Sequence, residues 1–153
     1  MLQSIKLYQT NKENLFRSAC LLLSKCFKER LKVLVITKSH QDSVLLDNSL
    51  WTFSRQLFIP HALSSDNILD DHPIIIGNDL DDGNLRHVVF DVVVFIERFD
   101  IELTEFKKVA LMFTEQDKSQ AIKLQQKIAC QVADLDSNYY TQSSSGEWTK
   151  AKL

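Results

Sequence analysis

The histidines and cysteines are the side chains of this sequence best suited to catalysis or metal binding, but their spacing indicates neither. The histidines are His40, His61, His72 and His87, and no two are four residues apart, as a helical zinc site requires. The cysteines are Cys20, Cys26 and Cys130, an odd number without a C-x-x-C pair. We therefore expect buried or half-buried free thiols, and neither a metal site nor a disulfide framework.

Two short motifs contain the residue types of known sites without their geometry. Ser39-His40-Gln41-Asp42 has the letters of a hydrolytic triad, yet neighbours on one turn cannot form the relayed contacts of a triad. Ser39 is better explained as the N-cap of a helix. Residues 79–83 resemble a calcium loop, but the glycine comes one position early and Phe90 stands where a bidentate glutamate is needed. An acidic turn is the simpler interpretation, and no catalytic residue is predicted.

The usual sequence signal of a nucleotide site is also missing. Phosphate-binding loops use several glycines so that backbone N–H groups can approach the anion, whereas the first predicted strand runs into Q-T-N-K-E at residues 9–13. Gly77 and Gly83 bracket acidic residues that would repel a phosphate. No P-loop, no glycine-rich nucleotide motif and no cofactor are predicted. A small α/β enzyme, or a nucleotide-binding domain whose anion site lacks glycine, stays open as an alternative.

Length and charge favour one domain that acts through other proteins. The 153 residues suffice for one buried core, so we expect a single domain over 1–153. The formal net charge of −2 lacks the cationic excess of strong nucleic-acid binding. The N-terminus has no secretory signal, and the most apolar run, 88–96, is interrupted by Asp91 and too short to span a membrane. We expect a cytoplasmic protein without membrane contact.

Short apolar runs alternate with stretches of helical periodicity, which predicts an α/β sheet. Strands are expected at residues 4–8, 32–37, 73–77, 87–97 and 108–114, with 87–97 in the centre. Helices are expected from about residue 11, from 39 to 51 and at 117–134, with 100–106 as a short helix or turn. The acidic stretch 64–71 is predicted to be a mobile loop, and 138–150 is predicted to form a hairpin.

The segment from 51 to 61 carries more large apolar side chains than a short connection requires. These are Trp51, Phe53, Leu57, Phe58 and Ile59. One interpretation is that they close the core. The other is an exposed aromatic anchor, because Trp and Phe beside a proline-fixed backbone make effective protein-binding hot spots.

The same segment resembles a known family. L-x-D-x-x-L-W at residues 45–51, followed by F-x-P-H at 58–61, is similar to the signature stretch of the DNA polymerase III chi subunit family. The opening strand with Tyr8, the long first helix and G-E-W at 146–148 follow in similar order, so the resemblance covers nearly the whole chain. It implies a Rossmann-like three-layer fold with helices on both faces of the sheet. It also implies a non-catalytic accessory subunit of the polymerase holoenzyme.

The resemblance implies two protein partners. Chi proteins bind the small psi subunit, which tethers them to the clamp loader, and the motif positions make Trp51, Phe58, Pro60 and His61 the psi-binding candidates. For His61, a structural role in ordering the Pro60 turn is the alternative. A helicase at the Trp51 surface is a further possible partner.

The second implied partner is the acidic, apolar C-terminal tail of single-stranded DNA-binding protein. Carboxylates and a terminal Phe require cations beside an apolar slot, and the last predicted helix offers Lys118, Lys123, Lys127 and Ile128. Lys123 and Lys127 are four residues apart and share a helix face. The helix has no arginine and no aromatic residue, and a solvated lysine face is the alternative interpretation.

Overall fold

A mixed β-sheet organises the chain, which a computed structural model describes over residues 2–56, 58–66, 71–85, 88–100, 102 and 105–153. Within these residues the strands are β1 (Ser4–Thr10), β2 (Val33–Ile36), β3 (His61–Leu63), β4 (Ile74–Gly77), β5 (Val92–Ile96), β6 (Lys108–Thr114), β7 (Asp136–Gln142) and β8 (Trp148–Ala151). The α-helices of the same residues are α1 (Leu15–Lys28), α2 (His40–Phe53) and α3 (Lys118–Gln131).

The strands lie in the order β3-β4-β2-β5-β6-β1-β7-β8. Neighbours from β3 to β7 are parallel, and β8 returns antiparallel to β7. The β1–β2 and β2–β3 connections contain α1 and α2 on one face of the sheet, and the β6–β7 connection contains α3 on the other. The structure confirms the predicted Rossmann-like, three-layer α/β fold.

Alternation along each strand divides the apolar core between the two faces of the sheet. Val33 and Val35 of β2 point towards α1 and α2, whereas Leu34 and Ile36 point towards the face covered by α3. All four are buried, which explains why β2 has an uninterrupted apolar sequence. The predicted central strand is confirmed as β5, which lies between β2 and β6.

Local capping sets where the helices begin and end. Ser39 has an extended backbone and its Oγ accepts a hydrogen bond from the Asp42 N–H at 3.2 Å, which confirms the predicted N-cap of α2. Before α1, the Asn11 side chain accepts the Asn14 N–H at 2.9 Å. After α1, Arg30 takes a positive φ of 60° while the Leu31 N–H bonds to the Cys26 carbonyl.

Three sequence predictions need correction. The segment 61–63 forms the edge strand β3, which was not predicted because three residues are too few to show alternation. Strand β5 begins at Val92, since the Asp91 carboxylate accepts the Lys32 N–H in the connection before it. Cys130 is exposed on α3, whereas Cys20 and Cys26 are buried as expected.

Some of the predicted segments include residues that the structure does not describe. His87, at the start of the predicted central strand, lies outside the described residues, as do 67–70 of the predicted loop 64–71. The same holds for 101, 103 and 104 of the predicted short helix or turn at 100–106. Among the helices that are described, none is long and apolar enough to cross a membrane.

Candidate functional site

Two exposed aromatic rings meet beside the C-terminal end of α2. Trp51 lies in the last turn of α2 with 52% of its surface exposed, and Phe58 follows in the connection to β3 with 64% exposed. Their ring centroids are 5.4 Å apart and the ring planes are tilted by 37°. Both side chains are large and apolar, and their contact joins them into one patch.

His61 lies beneath this patch and is 4% exposed. Its ring centroid is 4.5 Å from that of Trp51. Nδ1 donates to the Ile59 carbonyl oxygen at 2.7 Å, while Nε2 lies 3.1 Å from Asp47 Oδ1 and 3.2 Å from the Asp47 carbonyl oxygen. His61 therefore holds the connection around Pro60 against α2, which orients the two exposed rings.

These contacts give most positions of the L-x-D-x-x-L-W and F-x-P-H motifs a physical role, although Leu45 is 46% exposed. Leu50 is buried against the sheet, and Asp47 lies one turn before Trp51, where its side chain reaches His61. Pro60 is half-buried between the buried residues Ile59 and His61. The structure brings Trp51, Phe58, Pro60 and His61 together, with the rings outside and the imidazole inside. We call Trp51, Phe58 and Pro60 the Trp51 surface.

The neighbouring sheet edge is partly closed to strand addition. β3 is the terminal strand of the sheet, and a terminal strand can pair with a foreign chain. Here the Leu63 N–H donates to Asp66 Oδ2 at 3.0 Å, whereas the Ser64 N–H bonds inward to the Ile76 carbonyl. A partner at this end of the molecule can therefore contact the exposed rings more readily than the strand edge.

The candidate residues of α3 separate into two groups. Lys118, Lys123 and Lys127 are exposed, whereas Ile128 is buried in the core between α3 and the sheet. Lys118 lies in the first turn. Lys123 and Lys127 line an open groove of about 400 Å³. We call this the α3 groove, and its lining residues are Phe99, Asp100, Glu102, Gln120, Lys123, Leu124 and Lys127.

The α3 groove contains an aromatic residue that the sequence interpretation missed. Phe99 comes from the segment that follows β5, and its ring lies 6.2 Å from that of Phe113 in an edge-on arrangement. Phe99 lies outside the last helix, which is where an aromatic residue is expected from the sequence. The position of Phe99 in the sequence could have indicated its place in the groove. Residues directly after a central parallel strand lie at the same sheet edge as the start of the next crossover helix.

Carboxylates also border the α3 groove. Lys127 Nζ lies 3.9 Å from Glu102 Oε1, and both side chains are more than half exposed. A hydrogen bond from the Arg98 guanidinium holds the pKa of Asp100 below its usual value, with a smaller contribution from the Asp100 backbone N–H. The groove therefore presents two cations and two anions around an apolar floor formed by Phe99 and Leu124.

An arginine occupies the crevice at the carboxyl ends of β2, β4 and β5, where doubly wound folds bind their ligands. Arg98 Nη1 donates to the carbonyl oxygens of Thr37 at 3.0 Å and Asn78 at 2.7 Å. The Thr37 hydroxyl is itself bonded to Ser43 Oγ at 2.7 Å. In the ranges that the structure describes, no group of three or more His, Cys, Asp or Glu could hold a metal ion.

Comparison with known proteins defines the class of protein. A family model described as DNA polymerase III chi subunit, HolC, matches residues 2–128. A curated protein from Rickettsia prowazekii (strain Madrid E), named "Probable DNA polymerase III subunit chi", is 28% identical over 159 aligned residues, covering 97% of this chain and 92% of that protein. The chain belongs to the DNA polymerase III chi subunit family, which confirms the resemblance seen in the sequence. It is thus an accessory subunit of the DNA replication machinery.

Proposed function

We propose that this protein is a non-catalytic adaptor in the cytoplasm that links the clamp loader, through psi, to single-stranded DNA-binding protein. The observation that carries the proposal is the exposed Trp51 and Phe58 pair supported by a buried His61. An enzyme site would require reactive groups that converge in a cleft. The motif residues instead present rings to solvent and keep their polar contacts inside.

The Trp51 surface has the properties of a protein-binding hot spot. Tryptophan is enriched among such residues because it buries a large apolar area with few rotatable bonds. Trp51 is anchored on a helix, and the His61 contacts limit movement of the connection that carries Phe58. Little conformational entropy is therefore lost on binding, which favours this surface as the psi-binding site.

Binding of purified psi to single variants tests the first half of the proposal. Trp51→Ala and Phe58→Ala should each raise the Kd for psi by at least about 30-fold, the equivalent of about 2 kcal/mol. Trp148→Ala is a matched control, since Trp148 is the other exposed tryptophan and lies on the opposite edge strand. Unchanged binding by both folded variants, or equal loss in the control, would contradict the assignment. If Trp51→Ala fails to fold, the more exposed Phe58 decides.

The α3 groove has the features needed for an acidic tail that ends in an apolar residue. Phe99 and Leu124 provide an apolar floor, and Lys123 and Lys127 provide cations for carboxylates. Glu102 is paired with Lys127 and would be displaced when a tail carboxylate binds. The Asp100 and Glu102 charges oppose an acidic ligand, so we expect modest affinity with strong salt dependence.

A peptide with the C-terminal sequence of single-stranded DNA-binding protein tests the second half. Binding should be saturable at low salt, and Lys123→Ala with Lys127→Ala should weaken it at least tenfold. The matched control is Lys25→Ala with Lys28→Ala, a pair of exposed lysines on the helix of the opposite face. No binding at low salt would remove this half of the proposal. Loss of peptide binding in the Lys25→Ala, Lys28→Ala variant alone would mean that the tail occupies a different site.

A panel of nucleotides distinguishes the adaptor from a nucleotide-binding domain. A ligand at 100 times its Kd stabilises the folded state by about 2.7 kcal/mol, which a thermal shift detects. We expect no shift, because the Arg98 guanidinium in the crevice at the strand ends is bonded to two backbone carbonyls, and no glycine follows β1 before α1. A saturable shift with any nucleotide would favour the enzyme or nucleotide-binding alternative.

A further inference from the structure

A second group of aromatic rings lies at the other end of the sheet, on the face covered by α1. The ring centroids of Tyr8 and Tyr140, on the neighbouring strands β1 and β7, are 5.3 Å apart and nearly parallel. Trp148 of β8 approaches Tyr8 edge-on at 5.4 Å and is 37% exposed. These rings take no part in the Trp51 surface or the α3 groove.

Two depressions lie along α1, one on each side of these rings. One, of about 390 Å³, lies between the C-terminal half of α1 and the beginnings of β1 and β6, with Tyr8 in its wall. The other, of about 300 Å³, lies between the N-terminal half of α1 and the β7–β8 turn, with Leu21 and Gln142 in its wall. Tyr140 and Gln142 of β7 are only half-buried, so this part of the sheet face is open. We call the rings and both depressions the α1 trough.

Cations border the α1 trough along its length. Lys6, Lys25 and Lys108 line the first depression and Arg17 lines the second, against the carboxylates Glu29 and Asp136 in the first. Lys150 of β8 stands directly opposite Tyr140. The chain as a whole has a net charge of −2, so this local excess of cations is not a consequence of composition.

We propose that the α1 trough is a weak binding site for single-stranded nucleic acid. Proteins that bind single strands combine aromatic side chains, on which bases stack, with cations that follow the phosphates. Trp148 and Tyr140 provide exposed ring surface on strands β8 and β7, while Arg17 and Lys25 are spaced two turns apart on the helix beside them. The site is independent of the proposed function, and its few cations agree with the low affinity expected from the overall charge.

The arrangement favours a nucleic acid over an acidic peptide. Cations border both depressions, three in the first and Arg17 in the second, so they reach from one end of α1 to the other, as a repeating phosphate charge requires. The Gln142 amide of this face is engaged within the protein, with Thr10 and Ser18 donating to its oxygen and its nitrogen donating to the Gly146 carbonyl, so the rings and cations are the groups left to contact a nucleic acid. Base stacking is tolerant of sequence, so we expect little preference among bases apart from stacking strength.

Fluorescence of Trp148 provides a direct test with the full chain. In a Trp51→Phe background Trp148 is the remaining tryptophan, and titration with oligothymidylate at low salt should quench it saturably. Extrapolated to physiological salt, the Kd should fall in the range of non-specific binding, about 10⁻⁴ to 10⁻⁶ M. The logarithm of the association constant should fall with that of salt concentration with a slope of about −2 to −3, because three or four phosphates are neutralised.

Variants measured by anisotropy with labelled oligothymidylate complete the test. Trp148→Ala should weaken binding about tenfold by loss of stacking, and Lys6→Glu with Lys25→Glu should weaken it further and flatten the salt dependence. The control is Lys107→Glu, an exposed lysine that lines neither depression. Absence of saturable quenching at low salt, or equal loss in the control, would overturn the proposal. Polyglutamate that competes as well as oligothymidylate would also overturn it, in favour of an acidic polypeptide.

Discussion

The indole of Trp51 lies with its centroid 4.5 Å from the imidazole of His61, at an angle of 50° between the ring planes. One of these rings is half exposed and the other is buried, although both belong to the same signature stretch. The two neighbouring rings therefore have different roles. Trp51 presents apolar surface, and His61 fixes the backbone that supports this surface.

This division predicts different outcomes for two alanine variants. His61→Ala should lower the free energy of unfolding by about 2–4 kcal/mol, because it empties a buried site and removes the contacts to Ile59 and Asp47. Trp51→Ala should lower it by only about 1 kcal/mol, since the indole is half exposed. Urea unfolding of both variants measures the difference. A larger loss for Trp51→Ala would mean that the indole mainly serves the core.

Asp47 should be coupled to His61 in a double-mutant cycle. A hydrogen bond to a charged group contributes about 1.5–3 kcal/mol, and the Asp47 carboxylate lies 3.1 Å from Nε2. Combining Asp47→Ala with His61→Ala should therefore cost about 1–2 kcal/mol less than the sum of the single losses. Asp47→Asn, which keeps an oxygen in place, should lose less than Asp47→Ala. Strict additivity would exclude a direct contribution from this pair.

Ile128 and Lys127 are sequence neighbours on α3 with opposite environments. Ile128→Ala should lower the free energy of unfolding by about 2–4 kcal/mol because the side chain is 1% exposed, whereas Ile128→Val should cost about 1 kcal/mol. Lys127→Ala should change stability by less than about 0.5 kcal/mol, since its ion pair with Glu102 is exposed. Chemical denaturation checks all three. A stable Ile128→Ala variant would argue for a place in the α3 groove after all.

Gly77 should not tolerate a side chain. A Cβ at this position would lie 2.8 Å from Ser64 Oγ and 3.1 Å from Ser64 Cβ, so Gly77→Ala should cost about 1–3 kcal/mol through overpacking between β4 and the residue after β3. Ser64→Gly removes both atoms, and the double variant should recover much of that loss. Melting temperatures of the single and double variants measure the recovery. Additive losses would show that the strain has another origin.

Alkaline pH should destabilise the protein through Tyr8. Burial raises the pKa of Tyr8 from 10.0 to about 12, with smaller contributions from Tyr140 and Cys26. The folded state thus keeps the phenol proton where the unfolded chain releases it, so this stabilisation is complete below pH 10 and is lost as pH rises towards 12. Tyr8→Phe should reduce the slope of unfolding free energy against pH in that window. The pKa of Tyr139 is also raised, by burial, so some slope should remain.

Most of the fold could be predicted from local sequence, and the exceptions have physical reasons. Strands such as β2 and β5 are buried on both faces, so their sequences are uninterrupted apolar runs that predict a strand. The edge strand β3 does not show such a run, because it has only three residues and is recognised only by its pairing with β4. In the same way, the contact of Phe99 with the α3 groove depends on how the segment after β5 crosses the sheet edge.

The amino-acid sequence by itself determined the α/β class, the missing glycine cradle, the Ser39 cap and the family. These properties reside in periodicity and in short motifs, which are local. Only the tertiary structure decided that Trp51 and Phe58 are outside while His61 is inside, and that Tyr8, Tyr140 and Trp148 meet on an open sheet face. These relationships join segments that are distant along the chain, so they arise only when the helices and strands pack together.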